Sequence, residues 1–149
     1  MSEHKFLLHL REDHQEQKEL GRKLVEATSS EDRKKLRQQF YSALYPHMVG
    51  EEASMFKLLS EADDEEVKDD ALEGLQEHHV AKIILQEIME IDTQSAVFKA
   101  KAKVLDEINR HHIEEEEEDV FGHLKKMCSE DQMDELFEKY EKAEDEAES

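Results

Sequence analysis

Apolar residues recur at helical spacing along almost the whole chain, in four blocks of similar length joined by short polar links. Phe6, Leu7, Leu10, Leu20, Leu24 and Val25 mark the first block, which ends near "ATSSED". Leu36, Phe40, Ala43, Met55, Phe56 and Leu59 mark the second, followed by "SEADDEEVKDD". The third spans about residues 66–90 and the fourth about 95–127, with "IDTQS" between them. At a rise of 1.5 Å per residue, blocks of roughly 25 residues make helices about 35–45 Å long. Equal lengths with short links make neighbours antiparallel, so the expected fold is all-α: an up-down-up-down antiparallel four-helix bundle. The 4 glycines and 1 proline leave little material for turns or strands.

Local signals refine this picture. Ser29, with Asp32 three residues on, has the pattern of an N-cap for the second helix. Ser129, with Gln132, has the same pattern for a short C-terminal fifth helix that runs into the acidic "EKAEDEAES". The expected organisation is therefore a bundle over 1–128 and a short acidic helix or tail over 129–149. Pro46 falls inside the second helix and removes a backbone hydrogen bond, which predicts a kink just before His47.

Charge narrows the function classes. Of the 149 residues 40% are charged, 37% are hydrophobic, and the formal net charge is −20. Phosphate backbones and anionic lipid surfaces would be repelled, so neither nucleic acid nor membrane is an expected partner. No stretch approaches the roughly 20 apolar residues of a membrane span. Cys128 stands alone, which fits a reducing compartment, and a cytoplasmic location is the natural expectation.

The chain repeats itself. "PHMVGEEASMFKLL" and "HHIEEEEEDVFGHL" superpose without a gap when His47 is set on His112. Glu51 then meets Glu116, Glu52 meets Glu117, Phe56 meets Phe121 and Leu59 meets Leu124. Residues four apart lie nearly above one another on a helix, so each copy carries one His and one Glu on its apolar, inward face. "EDHQEQKELGRKL" and "EHHVAKIILQEI" superpose in the same way, with Asp13 on Glu77 and His14 on His78. A register using His79 instead would place Lys82 at an inward position; the helix is apolar over a wide arc and leaves both open, with His78 preferred.

The inward set is thus His14, His47, Glu51, His78, His112 and Glu116. Imidazole and carboxylate donors converging inside a helix bundle are the means by which dinuclear metal sites are built. That donor set suits iron, with manganese and zinc as second choices. Four nitrogens and four carboxylate oxygens leave coordination positions for an outside ligand on two metals. His79 and His111 read as neighbours outside the set, able to orient a carboxylate or to add a fifth nitrogen. Glu117 reads as a spare or orienting carboxylate, and the rest of the glutamate run as a solvated face. His4, His9 and His123 read as ordinary histidines.

With these pieces in order, the sequence resembles the hemerythrin-like (HHE cation-binding) family in its bacterial H…HxxxE…H…HxxxE form. "LREDH", "HMVGEEASMF", "EHHVAK" and "HHIEEEEEDVF" carry the resemblance, with spacings of 33 and 34 residues between the histidines of each half. It implies a four-helix bundle holding two non-haem, carboxylate-bridged iron ions. The six inward residues would be iron ligands, with Glu51 and Glu116 bridging. The implied partner is O2 or a related small ligand such as NO or peroxide. Peroxidase-like, catalase-like or NO-reducing turnover, and an iron- or oxygen-responsive regulatory role, are the alternatives. Oxygen-carrying members have a fifth histidine four residues from the third-helix ligand; the positions four away from His78 are Gly74 and Lys82.

Overall fold

The computed structural model describes residues 3–148, and those residues form helices and short links. In chain order they are α1 (Lys5–Glu26), α2 (Ser30–Ala53), α3 (Met55–Ser60), α4 (Glu65–Glu90), α5 (Phe98–Glu115), a π-helical turn (Glu116–Val120), α6 (Phe121–Met127) and α7 (Glu130–Glu148). The protein is an all-α, hemerythrin-like bundle. Its four arms are α1, α2 with α3, α4, and α5 with the π turn and α6.

The arms close into a ring. Gln17 reaches the Ala43 carbonyl and His47 meets Asp13, so α1 and α2 run in opposite senses. The Glu77–His112 and Glu87–Lys101 contacts do the same for α4 and α5. Asn109 on Gln17, with Arg11 on Glu117, closes α5 back onto α1.

Caps fix where the helices begin. The Ser29 hydroxyl accepts from Asp32 N at 3.1 Å, as its spacing predicts. Asp64 accepts from Val67 N at 3.2 Å at the head of α4. At the head of α7, Ser129 Oγ accepts from Gln132 N while Gln132 Oε1 accepts from Ser129 N, a reciprocal capping box.

Two apolar clusters flank a polar layer. One gathers Phe6, Leu10, Phe56, Phe121, Leu136 and Tyr140; the other gathers Leu24, Phe40, Leu44, Leu85, Phe98 and Leu105. On each arm the inward His or Glu lies between members of the two clusters, so the polar layer is sealed from both ends.

Three features depart from the sequence expectation. The second arm runs unbroken through Pro46, as expected, but is interrupted at Ser54, where φ and ψ are −117° and −95°. The fourth arm changes to a π turn over 116–120, the region matching Ser54 in the repeat. The first interruption comes three residues after inward Glu51 and the second begins at inward Glu116, in keeping with the frequency of π turns at functional sites. The third is α7: 19 residues long, it packs along α2 and buries Met133, Leu136 and Tyr140 in the first cluster. No helix among the described residues is long and apolar enough to cross a membrane.

Candidate metal centre

His14, His47, Glu51, His78, His112 and Glu116 converge on one point of the interior, none more than 6% exposed. They form two sets of four, His14–His47–Glu51–Glu116 and Glu51–His78–His112–Glu116. Within each set one ligand-type atom per residue lies within 4.8 Å of the others, and both carboxylates belong to both sets.

The carboxylates span the two sets oxygen by oxygen. Glu51 Oε2 is 3.1 Å from His47 Nε2, and its Oε1 is 3.2 Å from His78 Nε2. Glu116 Oε2 is 3.0 Å from His14 Nε2, and its Oε1 is 3.0 Å from His112 Nε2. Close as they are, none of the four carboxylate oxygens nor His14 Nε2 has a hydrogen-bond partner at a bonding angle. Buried polar atoms left this way cost several kcal/mol unless something else engages them. A cation among them would.

The outer nitrogens are all spoken for. Nδ1 of His47 lies 3.0 Å from Asp13 and Nδ1 of His112 lies 2.8 Å from Glu77, each carboxylate coming from the preceding long helix of the same half. Nδ1 of His78 lies 2.8 Å from Glu52 and Nδ1 of His14 lies 2.6 Å from Glu117, each from the residue after the other half's inward glutamate. An N–H donated outward from Nδ1 leaves the Nε2 lone pair pointing inward, the tautomer a metal requires. Glu52 is held by Lys82 Nζ at 2.7 Å, and Glu117 by Arg11 at 3.2 Å. Lys82 therefore serves the site from outside it.

Electrostatics follow from this layout. Burial opposes a charged imidazole at His47, but the Glu51 charge and the Asp13 hydrogen bond outweigh it and raise the pKa to about 9. For His112 burial again opposes, and the Glu116 and Glu77 hydrogen bonds raise it to about 10. His14 is raised well above its ordinary value against burial, chiefly by Glu116. Burial pushes Glu51 up, yet His47 and the neighbouring hydrogen bonds hold it well below the usual carboxylate range.

The preferred register in α4 is the one observed: His78 is buried, whereas His79 faces solvent. His111 also faces solvent, its side chain 64% exposed, so it adds no nitrogen to the centre. Gly74, four residues before His78, lies under the Phe56 ring, where a Cβ would come within 2.5 Å of Phe56 Cε1. Phe56 in turn packs edge-on against His78 at 5.2 Å. His4 caps α1 and contacts Asp134, and His123 contacts Asp70, consistent with structural roles.

Sequence reasoning missed Tyr140. Its hydroxyl is 2.9 Å from His47 Nδ1 and 2.8 Å from both Asp13 Oδ2 and Glu144 Oε2. Its signal was the apolar spacing Met133, Leu136, Tyr140, which marks a buried face in what reads otherwise as a charged tail.

The hemerythrin HHE cation binding domain model matches residues 6–124. The chain belongs to the hemerythrin HHE cation-binding family. No curated protein and no solved structure gives a significant match. Family and geometry agree on the class of ligand: this hemerythrin-like domain is built to bind a cation.

Proposed function

We propose that this hemerythrin-like protein holds two non-haem iron ions and binds O2 or a related small ligand, NO or peroxide, at positions its own side chains leave open. His14 and His47 would hold one iron and His78 and His112 the other, with Glu51 and Glu116 bridging. The observation that carries this reading is the sharing of both orphaned carboxylates between two buried His pairs. Two imidazoles and two carboxylate oxygens per metal suit iron, with manganese or zinc as weaker fits. Bound iron would supply the redox and ligand-binding chemistry. The chain itself aims the four Nε2 atoms at the centre, holds each ring by its outer carboxylate and packs Phe56 and Phe121 against the histidine rings.

A second reading, turnover of peroxide or NO, is favoured by one observation. No fifth imidazole reaches the centre among the described residues, and a cavity of about 70 Å³ reaches His112 and Glu116. Open positions on both metals favour reaction over storage of a single adduct.

Metal analysis and an optical spectrum of aerobic protein after iron-replete expression test the first reading. The expected result is about two irons per chain with oxo-iron charge-transfer bands. Less than one iron and a featureless spectrum would overturn it. Oxygen release from added H2O2 by the loaded protein, absent in His78→Ala, separates turnover from binding.

A further inference from the structure

The repeat that builds the centre is broken at its two mouths. In the first half, Pro46 and Gly50 hold the positions that His111 and Glu115 hold in the second. The smallness of Gly50 lets Tyr140 of α7 lie against it: a Cβ there would stand 2.6 Å from Tyr140 Cδ2. That mouth is covered by α7. The corresponding mouth of the second half is uncovered, and a cavity of about 70 Å³ runs into it from exposed Glu73 and Asp119 to buried His112 and Glu116.

Three residues converge at its rim: Glu77 and Glu115 line the cavity, and His111 stands beside them. Glu77, His111 and Glu115 each place a ligand-type atom within 4.8 Å of the others. His111 Nε2 is 2.8 Å from Glu115 Oε1, and Glu77 is the carboxylate already bound to His112 Nδ1. At the inner end Glu116 is 1% exposed and both of its oxygens lack a hydrogen-bond partner. An imidazole with two carboxylates is a donor set for a divalent first-row cation, loosely held because it is partly exposed.

We propose that Glu77, His111 and Glu115 form an outer acceptance site for a divalent cation, from which the metal passes through the acidic cavity to Glu116 and His112. The proposal rests on the buried centre being a metal site. His111 is then neither a fifth ligand nor an idle surface residue: it is the first imidazole an incoming cation meets. Association is favoured because a low-dielectric cleft lined by one sign of charge concentrates counter-ions. The one-sided uptake follows from α7: beside His47 the comparable group, His9, Asp13 and Glu144, already has both carboxylates engaged by the Tyr140 hydroxyl.

Stopped-flow mixing of metal-free protein with Co2+, read by the ligand-field absorbance of the bound ion, tests it. Combining His111→Ala with Glu115→Gln should slow uptake about three- to ten-fold while leaving the final metal content per chain unchanged. Added NaCl should slow the wild type more than this variant. As a control, Glu138→Gln with Glu141→Gln on the exposed side of α7 should leave the rate unchanged. Equal rates in wild type and the His111/Glu115 variant would overturn the inference, as would equal slowing by the α7 control. A fall in final metal content would overturn it too, by making these residues ligands of the centre. Failure of the wild type to take up metal would instead remove the underlying reading of the centre.

Discussion

Tyr140 Oη lies 2.9 Å from His47 Nδ1, which ties the last helix of the chain to a residue of the buried centre. The hydroxyl has one proton and two acceptors, Asp13 and Glu144, each at 2.8 Å. Burial, together with those two carboxylates, raises the phenol's pKa, so it remains a donor. Tyr140→Phe keeps the ring and removes the hydrogen bonds. The variant should lose about 1–3 kcal/mol in urea unfolding, the range for a bond to a charged group. Metal binding should survive, because Asp13 still holds His47.

Gly50 sets how closely α7 can lie. A Cβ would meet Tyr140 Cδ2 at 2.6 Å and the Tyr140 carbonyl oxygen at 3.0 Å, and the latter is backbone that cannot swing away. Gly50→Ala should cost about 1–3 kcal/mol as an overpacked site. Limited proteolysis should cut the variant first within α7. Gly122 gives the contrast, since a Cβ there meets nothing within 4 Å. Gly122→Ala should be neutral or gain up to about 1 kcal/mol from helix propensity.

The four outer carboxylates should matter nearly as much as the inner pair. Glu77→Gln and Glu117→Gln each keep a side chain of the same size but weaken the acceptor that fixes an imidazole tautomer. Each should lower metal affinity about 10- to 100-fold in competition against a chelator of known strength. Glu52→Gln should act similarly and also free Lys82, whose Nζ is 2.7 Å from Glu52 Oε1. Wild-type affinity in all three would show that ring orientation is set by packing alone.

Much of this was legible in the sequence because it rests on periodicity and repetition. Matching His47/Glu51 to His112/Glu116 found two arms, and the inward Lys82 of the alternative register made His78 the preferred histidine without excluding His79. The matched acids carried more information than they were credited with: Asp13 and Glu77 precede their histidines, and Glu52 and Glu117 follow their glutamates, in both halves. The Ser54 break and the π turn were not legible. Every residue from Glu114 to Glu118 is the same, so local propensity gives no cue to where the backbone shifts register. Tyr140 was hidden by distance, 93 residues from His47, and by a charged context that reads as a solvated end.

The pH dependence of stability should differ between the metal-free and loaded protein. His47 is raised from 6.5 to about 9 and His112 to about 10 in the folded, metal-free chain. A group raised on folding stabilises fully below its unfolded value. That stabilisation falls as pH rises from about 6.5 and is gone above about 10. Glu51 has the opposite sign: its contribution is present above about 4.5 and lost as pH falls toward its depressed folded value. Metal-free protein should therefore be most stable between roughly pH 5 and 6.5, with Tm declining steadily toward pH 10. Metal takes the place of the protons on His14, His47 and His112, so loading at pH 7 should release about three protons per chain, read with an indicator dye. Apparent metal affinity should rise with pH over the window in which metal-free stability falls. Melting curves from pH 6 to 10.5, with and without metal, should show a Tm gap that widens as pH rises. A gap that stays constant would mean that His47 and His112 carry no proton for the metal to displace.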